Sequence, residues 1–384
     1  MRVPGGRAVK LWRKAEKRQP TQAQLLFHGL VREWLWIGLV LLPFTAYLSL
    51  SSSLAFNSPL YDSLRRLTPL PVDPRILLVT IDDQSLKKLG QWPWPRSLHA
   101  DLINRLSAAQ PTAILFDVIF NDAGNIADDQ RLADAVCNAG NVLLPLERDG
   151  TASLSPAGEQ LLPLLKCAKG LGHINVEADS DGAVRSLYLR EGPPGSTLPQ
   201  LAWQAYRLSG QTAQMPGRSE QPNTQRWHRE FRVRVPFTSE QHAFPSVSYV
   251  SVLHGEVPAE LLRDRLILVG ASAYGLGDRF VTPLSSTPDT TAGVEIQANV
   301  LNGLLQERSI VDLPGWLAAL IATAWVALLL GLLLYRPRYA LWMTLGCMAG
   351  ALLGAWALLR LGHWWSPAAC LIGLLLSYLI WNWR

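Results

Sequence analysis

The sequence predicts an α/β domain, mainly a parallel sheet with flanking helices, held outside a membrane by four transmembrane α-helices. Three observations predict it. Four apolar stretches are each about long enough to cross a bilayer, short buried-type strands alternate with helical spacing through the middle of the chain, and the basic residues gather toward its two ends.

The first stretch, 34–54, is 21 residues without a charge. At about 1.5 Å per residue it spans a hydrocarbon core of roughly 30 Å. Three more follow the middle of the chain, at 313–335, 339–359 and 364–383, separated by the short turns around Arg336/Arg338 and Arg360/His363. None carries the polar face of an amphipathic core helix. Ten of the fifteen Trp fall in these stretches, several at their ends, where the ring suits the headgroup level.

Charge sets the orientation. Residues 1–54 carry a net +6, 55–312 a net −5 and 313–384 a net +4. Lys and Arg flanking membrane segments stay in the cytoplasm, so the basic tail 1–33 and the Arg336/Arg338 turn are expected inside. With four spans this places 55–312 outside the membrane and both termini in the cytoplasm. The preamble and core of the first stretch are too long for a cleaved signal peptide, so it is read as an anchor. An acidic middle block excludes a basic nucleic-acid-binding face, and the apolar stretches exclude a soluble cytosolic enzyme.

Within the block, residues 55–75 form a connector ending in a Pro-rich stretch. Runs 76–81 and 113–120 read as strands buried on both faces, with helical spacing at 99–109 between them. Residues 128–139 repeat the helix and 141–146 the strand, which is crossover spacing for a parallel sheet. Asp179-Ser180-Asp181-Gly182 reads as a hairpin turn feeding the half-buried strand 183–189. Helices are expected at 199–208 and 247–254, a polar loop at 211–225, an edge strand at 231–235 and a buried strand at 266–270. The run 293–305 is helical, and its continuation 306–312 is expected to carry the helix into the second span.

Several groups are candidates for chemistry. Asp82, Asp83, Asp117, Asp122, Asp128 and Asp129 collect at the C-terminal ends of predicted parallel strands, the edge where α/β sheets bind ligands. Helix capping is the competing role for each. Trp92 and Trp94, alternating with Pro and followed by Arg96, make a stiff aromatic loop with a cation beside it, fit either to wall a pocket or to plug the sheet edge. Cys137 and Cys167 bridge if the compartment is oxidising, a 30-residue loop worth roughly 3 kcal/mol, or else remain as two buried thiols. No metal-type spacing of Cys and His occurs and no cofactor is expected. The Gly-rich turn after 266–270 lacks the spacing of a P-loop, and Ser272 and Ser286 lack a nucleophile-elbow context.

These stretches together resemble the second class of CHASE domains, extracellular sensory modules associated with cyclases and histidine kinases. The resemblance rests on Leu78-Val79-Thr80-Ile81-Asp82-Asp83, Gly90-Gln91-Trp92-Pro93-Trp94-Pro95-Arg96 and Ile114-Leu115-Phe116-Asp117-Val118. It continues through Asp181-Gly182-Ala183-Val184-Arg185, Leu268-Val269-Gly270-Ala271-Ser272, Asp278 and Gly293-Val294-Glu295-Ile296-Gln297-Ala298-Asn299, so it covers 75–305. It implies a membrane receptor that senses a small-molecule or protein signal and controls a cytoplasmic kinase or cyclase, as a homodimer and without enzyme activity of its own. Because the chain stops at Arg384, one residue past the last span, that output is expected on a longer parent chain or on a partner. It also implies a bacterial inner membrane, with 55–312 in the periplasm, but it supplies no ligand-binding residue. The candidate ligand-binding set is Asp82, Asp83, Trp92, Trp94, Arg96, Asp117, Arg185 and Asp278. Two rivals remain: a membrane-anchored hydrolase using the Asp82/Asp83/Asp117 edge, and an assembly protein docking through Trp92 to Arg96.

Overall fold

The computed structural model describes residues 22–51, 54, 56–120, 124–146, 162–217, 227–238, 240–285 and 290–383. Most of the basic tail, Asp122, Ser286, half of the 211–225 loop and Arg384 lie outside the described residues. The chain begins with α1 (Gln22–Leu50), α2 (Asn57–Arg66), β1 (Ile76–Ile81), α3 (Asp83–Leu89), α4 (Arg96–Ala108), β2 (Ala113–Asp117), α5 (Ile126–Ala139), β3 (Val142–Pro145) and α6 (Leu162–Cys167). It continues through β4 (Gly170–Gly172), β5 (Glu177–Ala178), β6 (Val184–Gly192), β7 (Leu198–Pro199), α7 (Leu201–Leu208), β8 (His228–Arg234), β9 (Ser246–Ser248), α8 (Tyr249–Leu253), α9 (Ala259–Leu262) and β10 (Leu266–Ala271). It ends with β11 (Arg279–Phe280), β12 (Thr291–Ala292), α10 (Gly293–Leu305), β13 (Val311–Asp312), α11 (Gly315–Tyr335), α12 (Ala340–Arg360), β14 (His363–Trp364) and α13 (Ala368–Asn382). Two compact units result, one of Ala55–Ala318 with Leu352–Pro367, the other of the remaining residues.

The larger unit is built on a six-stranded sheet in the order β4-β3-β2-β10-β1-β9, with every pair parallel. Its strands are continuous apolar runs because both faces are covered. Ile76, Leu78, Leu115 and Leu268 point to one side, into a core shared with α7, α10 and the antiparallel sheet of β5, β6, β7 and β8. Leu77, Val79, Ile114, Phe116 and Val269 point to the other, beneath α4, α5 and α8. The insertion of β10 between β1 and β2 separates two strands that the sequence alone leaves free to be neighbours.

Two elements depart from expectation. Residues 246–248 form a short edge strand before α8 rather than the start of a helix. More consequentially, α10 is not continuous with α11. It stops at Leu305, where Glu307 adopts φ 54°. The Arg308 N–H then reaches back to Gly303 O (2.8 Å) and the Glu307 N–H to Leu304 O (3.1 Å), a Schellman closure. The chain extends as β13, pairs with β14, and passes Pro314 before α11 begins.

Among the described residues, three helical stretches are long and apolar enough to cross a membrane: Arg32–Leu50, Gly315–Tyr335 and Pro337–Arg360. The fourth, α13, has 15 residues, about 22 Å of helix at 1.5 Å per residue. It is shorter than the sequence suggests because residues 363–366 are drawn into the larger unit. There Trp364 packs on Tyr61 at 5.0 Å and Trp365 Nε1 donates to Ala318 O at 3.2 Å. Small residues let the helices approach: a Cβ on Gly373 would lie 2.6 Å from Thr45 Oγ1 and 2.7 Å from Val326.

Candidate functional site

A cleft of about 390 Å³ opens at the C-terminal edge of the parallel sheet. Its floor is Asp117, the last residue of β2, which lies in register with Gly270 of β10. Gly270 has to be glycine here, because a Cβ would stand 2.7 Å from Val294 Cβ and 3.1 Å from Asp117 Cβ. The first turn of α10 therefore lies directly over the sheet edge. Gly277, at φ 77°, turns the chain so that Asp278 meets the same helix end, its carbonyl accepting from Gly293 N–H at 3.1 Å. The Asp278 carboxylate occupies the space a Gly293 side chain would fill.

The opposite wall comes from the antiparallel sheet and the loop before it. Glu191, at the end of β6, is 3% exposed and accepts a hydrogen bond from Asn175. Arg229 of β8 pairs with Glu177 at 3.1 Å and lies 3.7 Å from Glu191. Trp227, Phe280 and Gln297 complete the lining. Gln297 is fixed, with its amide donating to Ile174 O and its oxygen accepting from Gln200.

Four carboxylates and one guanidinium thus share a small, partly aromatic cleft. Burial pushes Asp117 up to about 8, and the Asp278 charge adds to the rise. Burial also raises Asp278, against the pull of Arg279, and raises Glu191, against its bonds to Asn175 and Arg229. Among the described residues no cation offsets the desolvation of Asp117, and Arg279 offsets that of Asp278 only in part. Chemically, this arrangement favours a positively charged group entering the cleft, or protons where none enters.

Of the residues singled out from sequence, the structure brings Asp117 and Asp278 together and puts the other described ones elsewhere, Asp122 lying outside the described residues. Asp82 caps α3: its Oδ1 accepts from Ser85 N–H at 2.8 Å, from Ser85 Oγ at 2.6 Å and from Ser248 Oγ at 2.9 Å. Asp83 is exposed in the first turn of α3. Because β10 separates β1 from β2, the Asp82/Asp83/Asp117 constellation of the hydrolase reading does not sit on adjacent strands. Trp94 is 5% exposed, donates from Nε1 to Gly90 O at 3.0 Å, and packs on Tyr249 at 4.9 Å. Trp92 stacks against it at 5.2 Å, so the aromatic loop plugs the α4/α8 core. Arg96 pairs with buried Asp129 and lies over Phe120 at 5.4 Å.

Arg185 is a structural hub. It is 4% exposed and binds Asp62 at 2.8 Å, Asp179 at 3.0 Å and Asp181 at 2.8 Å, tying α2 to the β5–β6 turn. Cys137 and Cys167 meet with Cα atoms 4.6 Å apart, joining α5 to α6. Among the described residues no group of three or more His, Cys, Asp and Glu is placed to hold a metal ion.

A family model for the CHASE2 domain matches residues 34–346, from within α1 through the sheet and into α12. The chain belongs to the CHASE2 family. CHASE2 domains are extracellular sensory modules associated with signalling. The CHASE2 motif residues 293–299 now have a local explanation. Helix α10 is buried over nearly its whole length, and its polar side chains clamp the chain around it. Asn299 Oδ1 accepts from Thr238 N–H and Asn302 Oδ1 from Asp73 N–H, each at 2.8 Å, while Glu295 meets His242 at 2.7 Å. No curated protein and no solved structure matches the chain.

Proposed function

We propose that this CHASE2 protein is a four-span receptor of a bacterial inner membrane. Its periplasmic residues, 55–312, bind a small cationic signal in the Asp117/Asp278 cleft, and the change is relayed to a cytoplasmic kinase or cyclase output. A homodimer would give the spans something to move against.

The observation that carries the relay is strand β8. At one end Arg229 lines the cleft. At the other, Arg232 and Arg234 hold Asp312 of β13 at 3.0 and 2.5 Å, three residues before α11. Seven strand residues cover roughly 20 Å, so one rigid element touches both the ligand wall and the segment leading into a candidate span. A cationic ligand that takes over Glu177 and Glu191 displaces Arg229, which shifts β8, and Asp312 follows. Such a ligand moves the equilibrium only by its difference in affinity between the two positions.

The test is a thermal-shift screen of the detergent-solubilised full chain against small amines, carboxylates and neutral sugars. Amines are expected to raise the melting temperature, and the Asp278→Asn variant to lose that response while melting at a similar temperature alone. A response confined to carboxylates or sugars would sink the assignment of a cationic signal.

A further inference from the structure

The second polar pocket of the larger unit has the opposite charge. It encloses about 270 Å³ between the end of α2, the turn after α10 and the turn after α12. Arg65, Arg308 and Arg360 line it, with Thr68 and Gln306, and among the described residues no carboxylate does. Among the described residues none of these three arginines forms an ion pair.

Arg65 is the most unusual of them. It is 7% exposed, a depth at which guanidinium groups are ordinarily paired with acids. Its two terminal nitrogens donate to Thr68 O and to Phe237 O, which fixes the side chain without neutralising it. Its Nε is buried and has no hydrogen-bond partner. Arg308 is tied by Nη1 to Arg360 O at 3.1 Å, and the Arg360 guanidinium lies 5.3 Å from the Trp356 ring. Arg360 is also the last residue of the candidate span Pro337–Arg360, with Trp356 one turn before it. Tryptophan at that position suits the headgroup level of a bilayer.

We infer that this pocket binds a phosphoryl anion. A fixed guanidinium held without a counter-charge among the described residues, and flanked by two more, matches the several acceptor oxygens of a phosphate. Within a bilayer the nearest source is the headgroup of an anionic phospholipid, and free phosphate carries the same chemistry. The inference depends on α12 reaching a membrane surface and is independent of the signal cleft.

The full-length protein in detergent tests it, by native mass spectrometry with phosphatidylglycerol and with diacylglycerol of the same acyl chains. Inorganic phosphate is titrated separately by thermal shift. The expected results are retention of phosphatidylglycerol but not diacylglycerol, and a loss of at least about tenfold in the Arg308→Gln/Arg360→Gln double variant. Retention of lipid without a phosphate response identifies the headgroup as the source, and a phosphate response alone identifies the free anion. Arg308→Glu, a single change at an exposed position, gives the same reading should the double variant fold poorly. Equal retention of diacylglycerol, or binding unchanged in both variants, overturns the inference. Asp278→Asn should leave retention untouched, which separates failure here from failure of the cleft.

Discussion

Burial and the neighbouring Asp278 charge hold a proton on Asp117 up to about pH 8, whereas an unfolded chain releases it near the ordinary carboxylate value of 3.8. Between those values the folded state binds the extra proton, so this group's contribution to stability is fully present below about pH 4 and is lost as pH rises toward 8. Asp117→Asn should flatten that slope and raise stability at pH 8 by about 1–2 kcal/mol. Urea unfolding of the full chain at pH 5 and pH 8 checks it, and an unchanged difference between the two pH values would refute it. Gly293→Ala is the complementary case, since its Cβ would fall on the Asp278 carboxylate. It should cost about 1–3 kcal/mol, with partial rescue by Asp278→Ala in a double-mutant cycle. Asp117 and Asp278 were legible from sequence, as an acid ending a buried strand and as a motif residue. Glu191 carried a fainter signal: it falls in phase with core-facing Leu187 and Leu189 on β6, where an acid is out of place. Arg229 and Trp227 had none, because only tertiary folding brings β8 to the sheet edge.

At the level of elements, β1, β2, β3 and β10 could be read from their sequences because apolar runs bounded by helices have few other solutions, whereas the three-residue edge strands β4 and β9 and the order of the sheet could not. Position of β10 between β1 and β2 depends on a contact more than 150 residues long in sequence. The end of α10 was hidden for a different reason. Glu307 takes the left-handed position that glycine usually marks, so the apolar pattern ran on without a stop signal. That break changes what a relay has to be: the connection into α11 passes through β13 and its hydrogen bonds rather than along one helical rod. Asp312→Asn should therefore weaken coupling while leaving ligand binding in the cleft intact, because it loosens Arg232 and Arg234 together. A fusion of the chain to a kinase output, measured with the amine found by the thermal screen, is expected to lose most of its response. A fully responsive fusion would exclude β8 as the route. The link between α5 and α6 is separate from this path, so Cys137→Ser/Cys167→Ser should lower stability by roughly 3 kcal/mol through the unfolded chain. Equal urea midpoints for parent and variant under oxidising conditions would show that the pair is not bridged.

At the scale of the whole molecule, everything depends on how often the chain crosses the bilayer. On the proposed topology the Arg336/Arg338 turn is in the cytoplasm and the acidic block outside, as the charge asymmetry favours. The three longer helices satisfy that arrangement on their own. Helix α13 is the element in question, because 15 residues fall short of a core of roughly 30 Å. It crosses only if the bilayer thins around it or if the flanking Trp365 and Trp381 sit within the interfaces. Single cysteines report each side, against a background in which Cys347 and Cys370 are buried. Gln214→Cys, on an exposed loop of the α/β domain, should react with a membrane-impermeant maleimide in intact spheroplasts. Arg338→Cys, also exposed, should react only after lysis. Trp383→Cys, at 94% exposure, then decides the last crossing: protection until lysis means that α13 spans and both ends of the chain share the cytoplasm. Labelling of Trp383→Cys in intact spheroplasts would leave three crossings and put the C-terminal end outside, where it could not reach a cytoplasmic kinase or cyclase.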